Sequence, residues 1–305
     1  MRFTLRQIEY FVAAAETGSI TLASDRVHIS QPSISAAVSH LETEFGIQLF
    51  IRHHAQGLSL TPQGMRFLRE AKTLLLQAQE LQGVAGELSS KVTGPVQIGC
   101  LVTLYPLLVP EIVHAFRARH DRAQIHAVAG DQAMLFDRLR RGEISAALSY
   151  DMNLPADMEL ERLVDLPPFA FVAAGHRLAK RKSVALSALA EEPFLLLDLP
   201  LSRDYFLSLF HNAGLEPNLG GAFEHMDVIR SLVARGDGFG LANIRPKNRA
   251  SLDGRPLAYL GLDGTPRALA LGIVFVKGTL RTRSTEAFVD LCRELVSEGR
   301  IPGTG

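Results

Sequence analysis

The sequence predicts a mixed fold: a small all-α unit with a hairpin wing, one long helix, and an α/β portion that makes up the rest of the chain. Apolar residues within 5–61 recur at helical spacing and then flank a short polar tip. Residues 62–89 carry one long helical pattern, and from residue 93 onward short apolar strands alternate with amphipathic helices. Such alternation is typical of an α/β fold with a largely parallel sheet.

Two short helices open the N-terminal unit. Apolar residues spaced by three and four define one apolar face of the first helix: Leu5, Ile8, Phe11, Val12 and Ala15. Gly18 is expected to end this helix, because glycine adopts the left-handed conformation found at helix ends. Ser19 is expected to cap the second helix. That helix should direct its own apolar residues inward: Leu22, Ala23 and Val27.

The third helix combines a start signal with a polar face. Ser30 is expected to cap it, and Pro32 is tolerated because first-turn amides have no intrahelical acceptor. The buried stripe is formed by Ile34, Val38 and Leu41. Phe45-Gly46 should end the helix, and apolar residues then flank a polar tip at 52–57, as in a hairpin wing. This order of elements is typical of a winged helix-turn-helix, whose recognition helix enters the DNA major groove.

The first 65 residues resemble the LysR-type transcriptional regulators. The motifs that carry the resemblance are Leu5-x-x-Ile8-x-x-Phe11, Gly18-Ser19-Ile20, Ser30-Gln31-Pro32-Ser33-Ile34-Ser35, Leu41-Glu42, Gly46, Leu49-Phe50-x-Arg52 and Leu60-Thr61-Pro62-x-Gly64. The remainder of the chain matches the family in the order of its elements. The resemblance implies a regulator that binds double-stranded promoter DNA and a small-molecule effector, and that forms a homodimer or homotetramer. RNA polymerase is a further candidate partner.

The resemblance also implies a domain plan. Residues 1–61 would form the DNA-binding domain, 62–92 the linker and dimerisation helix, and 93–305 a periplasmic-binding-protein-like effector domain. Within the last of these, 93–165 and 268–305 would form one subdomain and 166–267 the other. The two chain crossings between the subdomains are expected near 163–168 and 265–269.

The expected DNA contacts are polar residues of the second and third helices and of the wing: Thr21, Ser30, Gln31, Ser33, Ser35, Ser39 and Arg52. Charge supports these contacts weakly. Residues 1–61 contain no lysine and four arginines, against five acidic residues: Arg2, Arg6, Arg26 and Arg52, and Glu9, Glu16, Asp25, Glu42 and Glu44. Family members often have a basic residue where this chain has Leu22 and Ala36. We therefore expect weak phosphate binding per subunit, strengthened by multivalency in an oligomer. The alternative is a three-helix interaction module that does not touch DNA.

Thr61-Pro62 predicts the start of the long helix, because threonine is a good N-cap and proline suits the first helical position. The helix should run to about Ser89. Its apolar residues form a near-heptad seam: Leu68, Ala71, Leu75, Ala78, Leu81, Ala85 and Leu88. Such a seam either packs on the chain's own body or pairs with a second copy. The resemblance favours an antiparallel coiled-coil dimer with Leu75 at its centre.

Thr93-Gly94-Pro95 marks the next boundary, and an alternating series of elements follows. Strands are predicted at 96–100, 124–129, 144–150, 169–174, 194–197, 222–224 and 267–276. Helices are predicted at 104–119, 134–141, 205–212, 228–234 and 282–298. Two α/β halves joined by two crossing segments enclose a cleft, and clefts of this kind bind small molecules near strand carboxyl ends.

Residues at strand exits and helix starts are the candidates for effector binding: Leu101, Thr103, Asp131, Tyr150, Ser202, Arg203, His225 and Met226. Each of the polar residues has an alternative role as an ordinary helix cap. The chemistry of the effector stays open. Arg203 would suit a carboxylate, and Asp131, Asp151 and Asp227 would suit an amine.

The sequence favours neither an enzyme nor a metal protein. The glycine-rich run at 236–240 follows a predicted helix rather than a strand, so the context of a nucleotide-binding loop is missing. His53-His54 lacks companion ligands nearby. Only Cys100 and Cys292 occur, and ordinary burial is expected for both. No catalytic set, cofactor or metal is expected. No apolar run reaches the roughly 18 residues of a membrane span and no signal-peptide pattern is found, so the expected location is cytoplasmic.

Overall fold

A computed structural model describes residues 2–53, 57–85 and 92–303. The N-terminal elements are α1 (Leu5–Thr17), α2 (Ile20–Val27), α3 (Gln31–Phe45), β1 (Phe50–His53), β2 (Gly57–Leu60) and α4 (Pro62–Ala85). The two strands form an antiparallel hairpin in which Phe50 faces Leu60. This is the predicted arrangement of three helices, a wing and a long helix.

Local capping fixes the ends of the first helices. Gly18 ends α1 in the left-handed region, with φ of 63°, and the Ser19 hydroxyl accepts from the Leu22 amide at 3.4 Å. Both predictions are confirmed. Ser30 occupies the N-cap position of α3, but no backbone amide donates to its hydroxyl. That hydroxyl instead lies 2.8 Å from the Ser33 hydroxyl.

The core of the N-terminal unit is made by apolar residues from all three helices, the wing and α4: Ile8, Phe11, Ala13, Ala14, Ala23, Ile34, Val38, Leu41, Leu49, Phe50, Leu68 and Ala71. The inward orientation predicted for Leu22 is wrong, because this side chain is 56% exposed. The short helix α2 faces the core along Ile20, Ala23 and Val27, which are spaced by three and four. Leu22 lies roughly 100° around the helix from Ala23 and therefore points away.

The first part of the predicted seam on α4 packs on the chain's own body. Thr61 starts this helix as predicted, since its hydroxyl accepts from the Gly64 amide at 2.8 Å. Leu68 and Ala71 are 6% and 4% exposed and belong to the N-terminal core, so they are not open to a second copy. Leu75 is half-buried at the edge of the same core. Leu88, the side chains of Leu81 and Ala85, and the predicted end near Ser89 lie outside what the structure describes.

The rest of the chain forms two α/β units. The first has a five-stranded sheet in the order β4-β3-β5-β13-β6. Its elements are β3 (Gly94–Leu101), α5 (Tyr105–Arg119), β4 (Ala123–Gly130), α6 (Gln132–Arg140), β5 (Ala146–Tyr150), β6 (Met158–Leu166), β13 (Leu269–Val276) and α10 (Arg283–Ser297). Strands β3, β4 and β5 are parallel, whereas β13 runs antiparallel to both of its neighbours.

The second unit contains a four-stranded sheet, β11-β7-β12-β8, and a parallel pair, β10-β9. Its elements are β7 (Phe169–Ala173), β8 (Ser183–Val184), α7 (Leu186–Ala190), β9 (Phe194–Leu197), α8 (Ser202–Asn212), β10 (Leu219–Phe223), α9 (Met226–Arg235), β11 (Gly240–Ala242) and β12 (Leu257–Leu262). Strand β7 is antiparallel to β11 and β12. The expectation of a largely parallel sheet therefore holds for β3, β4 and β5 but is wrong for the four-stranded sheet.

Four strands, β6, β8, β11 and β12, and the short helix α7 were not among the predicted elements. Strand β6 reads MELERLVDL and pairs only with β13 at the sheet edge, so its charged residues obscure the apolar pattern. The chain passes from the first sheet to the second between Leu166 and Phe169. It returns between Leu262 and Leu269. The division of the chain into domains and subdomains stays a prediction.

Candidate nucleic-acid interface and ligand cleft

Helix α3 carries a polar surface opposite its buried stripe. Gln31, Ser35 and Ser39 follow one another at intervals of four, so they share one face of the helix. Gln31, Ser33 and Ser39 are exposed and Ser35 is half-buried. The other predicted contact residues, Thr21, Ser30 and Arg52, are also exposed. All seven side chains are therefore at least partly open to a ligand, and their contact with DNA stays a prediction.

Two of the five acidic residues in this region are engaged within the fold. The Glu42 carboxylate accepts hydrogen bonds from the amides of Leu49 and Phe50, at 2.8 and 3.2 Å. These bonds join the end of α3 to the first strand of the wing. Glu42 therefore helps to hold the wing against α3.

Glu16 forms the centre of the second engaged group. It pairs with Lys72 of α4 at 2.8 Å and with Arg26 of α2 at 2.6 Å. Burial alone would raise the pKa of Glu16, but hydrogen bonds and charge from Lys72 and Arg26 hold it below its ordinary value. Arg26 is therefore committed to an ion pair. Within the described residues, no carboxylate pairs with Arg2, Arg6 or Arg52, which makes these three the cations available for phosphate contacts.

A cleft lies between the two α/β units and is lined from both. The first unit contributes Thr103, Leu107, Tyr150, Met152 and Leu269. The second contributes Phe169, Phe171, Leu197, Ser202, Tyr205, Phe206, Met226, Arg230, Ala242, Asn243, Ile244 and Pro246. The enclosed volume is about 50 Å³, within about 540 Å³ of free space when the open mouth is included. Most of the lining is apolar, with a few polar groups, as is typical of small-molecule sites.

A hydrogen-bonded group at the cleft ties the second unit to both crossing segments. The Asn243 side-chain amide donates to the Leu166 carbonyl at 3.0 Å and to the Tyr205 hydroxyl at 2.9 Å. The Tyr205 hydroxyl in turn donates to the Arg267 carbonyl at 2.7 Å. Burial raises the pKa of Tyr205 to about 12 and raises the pKa of Tyr150 as well. Both phenols are therefore neutral at physiological pH.

Among the described residues that line the cleft, Arg230 is the only charged one. It is 7% exposed, and its guanidinium donates to the Tyr259 hydroxyl at 2.7 Å and to the carbonyls of Asn248 and Ala250 at 3.2 and 2.6 Å. The Arg230 guanidinium also lies 5.7 Å from the centre of the Tyr259 ring. All three hydrogen-bond acceptors are neutral groups.

The eight predicted effector-binding residues divide evenly. Thr103, Tyr150, Ser202 and Met226 line the cleft. The other four do not line it: Leu101 is buried in β3, Asp131 caps α6 by accepting from the Met134 amide at 2.8 Å, Arg203 pairs with Asp198 at 2.6 Å, and His225 is exposed at the N-cap position of α9. For Asp131 the structure thus provides the alternative role of an ordinary cap. Effector contact by any of the eight stays a prediction.

Several lining residues were missed from the sequence, and one carried a readable signal. Arg230 follows Met226 by four residues and precedes Val233 by three, so it stands on the inward face of α9. A charged residue at such a position is unusual enough to mark a site. Phe169 and Asn243 carry a weaker sequence signal, because their position at the cleft depends on how the two sheets meet rather than on local spacing.

Other candidate chemistry is accounted for by the fold. Cys100 and Cys292 are both buried as predicted, and burial raises the pKa of each thiol. Across residues 2–53, 57–85 and 92–303, no three His, Cys, Asp or Glu side chains come together as metal ligands. The His54 side chain lies outside the described part of the chain, as does that of His53. No described helix is both long enough and apolar enough to cross a membrane.

Comparison with known proteins identifies the family of the chain. Residues 5–65 match the bacterial regulatory helix-turn-helix proteins of the lysR family, and residues 89–297 match the LysR substrate binding domain. A helix-turn-helix joined to such a domain defines a bacterial transcriptional regulator. The chain belongs to the LysR family, whose members are regulators rather than enzymes, bind promoter DNA and small-molecule effectors, and form oligomers.

Individual relatives cover most of the chain. HinK, a LysR family transcriptional regulator from Pseudomonas aeruginosa, is 37% identical in sequence, with a TM-score of 0.64 over 96% of this chain and 98% of that one. The transcriptional regulator TfdS of Cupriavidus pinatubonensis is 31% identical over 243 residues, covering 76% of this chain and 80% of its own length. A full-length OxyR variant from Pseudomonas aeruginosa has a TM-score of 0.76 at 24% identity, which speaks for the fold alone.

Proposed function

We propose that this LysR-family regulator binds promoter DNA through the N-terminal part of α3, and that a small molecule in the cleft between the two α/β units controls this binding. The observation that carries the proposal is the lining of the cleft from both units, with Thr103 and Tyr150 on one side and Ser202 and Arg230 on the other. A ligand that touches both units stabilises one relative arrangement of them over others, which is the requirement for control by population shift.

The DNA side of the proposal rests on exposure and charge. Gln31 and Ser33 are exposed in the first turn of α3, where a side-chain amide can pair with adenine in the major groove. Arg52 of the wing is the proposed phosphate contact, and the exposed Thr21 and Ser39 hydroxyls would add neutral ones. Ser30 and Ser35 belong to the same proposed surface. Since few cations are available, strong binding requires more than one subunit on the DNA.

We propose a homodimer or homotetramer assembled through the part of α4 beyond Ala71. The residues up to that point are covered by the chain's own core, whereas Leu75 is half-buried. The proposal extends to action in the cytoplasm, where bacterial promoters are found, and to contact with RNA polymerase at an activated promoter. Mass photometry of the free protein and of its promoter complex, with and without polymerase, tests the assembly and the polymerase contact.

The experiment that tests DNA control is a mobility-shift assay with the DNA upstream of the neighbouring gene, at stated salt concentrations. Fractionated cell metabolites are added to the wild-type protein and to a Thr103→Val/Ser202→Ala double variant. These changes remove two cleft hydroxyls with little change of shape. We expect some fraction to shift the wild-type complex and to act more weakly on the variant, whose basal DNA affinity should be unchanged.

The alternative is a small-molecule binding protein whose N-terminal helices serve only to bring copies together. It predicts ligand binding in the cleft and no specific DNA complex at any salt concentration. A wild-type protein that retards no promoter fragment while still binding metabolites would favour that alternative. A fraction that shifts the double variant as strongly as the wild type would instead move the effector site away from the cleft.

A further inference from the structure

The chemistry of the effector is indicated by a buried charge that the fold leaves uncompensated. Arg230 lies on α9 with 7% of its surface exposed, and it lines the cleft. Removing a guanidinium from water costs several kcal/mol unless a counter-charge and hydrogen bonds replace the water. Buried charges in proteins are accordingly paired with opposite charges. The buried guanidinium of Arg230 therefore requires a negative counter-charge.

The fold supplies hydrogen bonds to Arg230 but no counter-charge. Its Nη1 donates to the Tyr259 hydroxyl, and its Nη2 donates to the carbonyls of Asn248 and Ala250. No carboxylate of the described residues lies within 4.0 Å of it. A guanidinium has five N–H donors. Three are used, so the Nε–H and one Nη1–H have no partner in the part of the chain that the structure describes.

Arg235 on the same helix shows how the chain treats an ordinary arginine. It lies five residues further along α9, is exposed, and pairs with Asp253 at 2.8 Å. Arg203, which the sequence nominated as the partner of a carboxylate, likewise has its own acid in Asp198. Of these three arginines the buried one, where a counter-charge matters most, is the one without an acid.

We propose that the effector is a small organic carboxylate whose charge pairs with Arg230 and whose apolar body contacts Phe169, Phe206 and Met226. This assignment rests on the proposed function of the cleft. A single positive charge with two free donors matches one carboxylate group, for which the planar guanidinium has the right geometry. A phosphate dianion would need further cations, and no second cation lines the cleft among the residues that the structure describes. The apolar walls and the small enclosed volume favour a compact ligand body.

Matched pairs of probes test the charge directly on the full-length protein. Benzoate, 3-phenylpropionate and 3-methylbutyrate are compared with benzyl alcohol, 3-phenylpropanol and 3-methylbutanol by thermal shift and by calorimetry. At least one acid should bind about 10- to 100-fold more tightly than its alcohol, because a hydrogen bond to a charged group is worth more than a neutral one. At ten times its Kd that acid should raise Tm by about 3 °C.

Variants locate the preference at Arg230. Arg230→Met should remove the preference for the acid, whereas Arg235→Met, which deletes a guanidinium from the same helix outside the cleft, should keep it. Arg230→Lys keeps the charge without the planar fork and should retain part of the preference. Circular dichroism and promoter binding of each variant establish that it is folded. The comparison of acids with alcohols on the wild type needs no variant and stands if Arg230→Met does not fold.

The possible outcomes test the carboxylate assignment separately from the proposed regulatory function. Acids and alcohols of equal affinity, or no binding of any acid, would overturn the carboxylate assignment. An acid preference that survives in Arg230→Met would overturn the role of Arg230. Promoter binding by the same preparations tests the proposed regulatory function independently, since a protein that binds DNA but no acid keeps that function and loses only this inference.

Discussion

The DNA-binding unit and the cleft are built from the sequence in opposite ways. The polar surface of α3 comes from residues of one helix within 31–39, and the buried core beneath it is drawn from residues 8–71. The cleft combines Thr103, Phe169, Asn243 and Leu269, which lie far apart in the chain. A local motif can be read from spacing, whereas a cleft between two sheets requires knowledge of how distant segments meet. Disturbing one region should therefore leave the other intact.

Gly64→Ala should give the largest effect and should be confined to the DNA-binding unit. A Cβ at this position would lie 2.1 Å from the Leu49 carbonyl oxygen, and a backbone atom cannot move aside cheaply. We expect unfolding to be easier by about 3 kcal/mol for this unit, with loss of promoter binding. Urea unfolding followed by circular dichroism measures the change.

The control for that variant is Gly175→Ala, where the new Cβ meets no atom within 4 Å. Carboxylate binding should survive in Gly64→Ala, because the cleft shares no residue with this unit. A Gly64→Ala protein with wild-type stability would show that Gly64 of α4 does not lie against the Leu49 carbonyl in solution.

Glu16→Gln should have the next largest effect on stability, because it leaves the buried Lys72 without its acidic partner. Breaking a partly buried pair of this kind should cost about 2 kcal/mol at pH 7. Because the pKa of Glu16 is lowered in the folded state, its stabilisation is complete above the ordinary value of about 4.5 and is lost as pH falls through the lowered value. The difference in the free energy of unfolding between wild type and variant should therefore become smaller below about pH 4. Glu9→Gln, an exposed acid on the same helix, is the matched control. If this difference in the free energy of unfolding is the same at pH 7 and pH 3, the ionised Glu16 carboxylate is not what stabilises the wild type.

Gly240→Ala is the counterpart of Gly64→Ala in the cleft. The new Cβ would lie 2.2 Å from the tip of the Phe171 ring, which lines the cleft, so this ring would have to shift. We expect a loss of about 1–2 kcal/mol in stability and a loss of carboxylate binding, with promoter binding retained. Calorimetry and mobility shift on one preparation measure both. If carboxylate binding and promoter binding are weakened equally, the cleft and the DNA-binding unit do not behave as independent regions.

Tyr205→Phe should give the smallest effect. It removes the hydrogen bond to the Arg267 carbonyl and leaves the Asn243 amide with one acceptor instead of two. We expect the free energy of unfolding to fall by about 1 kcal/mol, which would be measured as a lower midpoint of urea unfolding. The control is Tyr10→Phe in the DNA-binding unit, because the Tyr10 hydroxyl has no hydrogen-bond partner among the described residues; this change should lower the urea midpoint much less. If the two variants behave alike, the hydroxyl does not hold the crossing segments.

Most of the N-terminal unit was predictable because each signal there is local. Glycine and serine at 18 and 19 mark a helix end and a helix start through their own backbone and side-chain chemistry. Leu22 was mispredicted because the core face of α2 runs along Ile20, Ala23 and Val27. For the seam on α4, periodicity identifies an apolar face but not what covers it, so the sequence left both alternatives open, and Leu68 and Ala71 follow the packing on the chain's own body. The same limit explains the cleft. Strand exits nominated Thr103 and Tyr150, which line the cleft, whereas the neutral partners of Arg230 could be known only from the structure.

The most direct test of DNA reading by α3 is a footprint of the promoter with a Gln31→Ala/Ser33→Ala double variant. Thr43→Ala, an exposed change near the other end of the same helix, is the control, and mass photometry verifies the assembly of all three proteins. We predict that the variant keeps its mass and its carboxylate binding but loses the footprint at concentrations where wild type and control protect the site, with affinity lower by about tenfold or more. A footprint unchanged in extent and affinity would contradict the assignment of this surface to DNA.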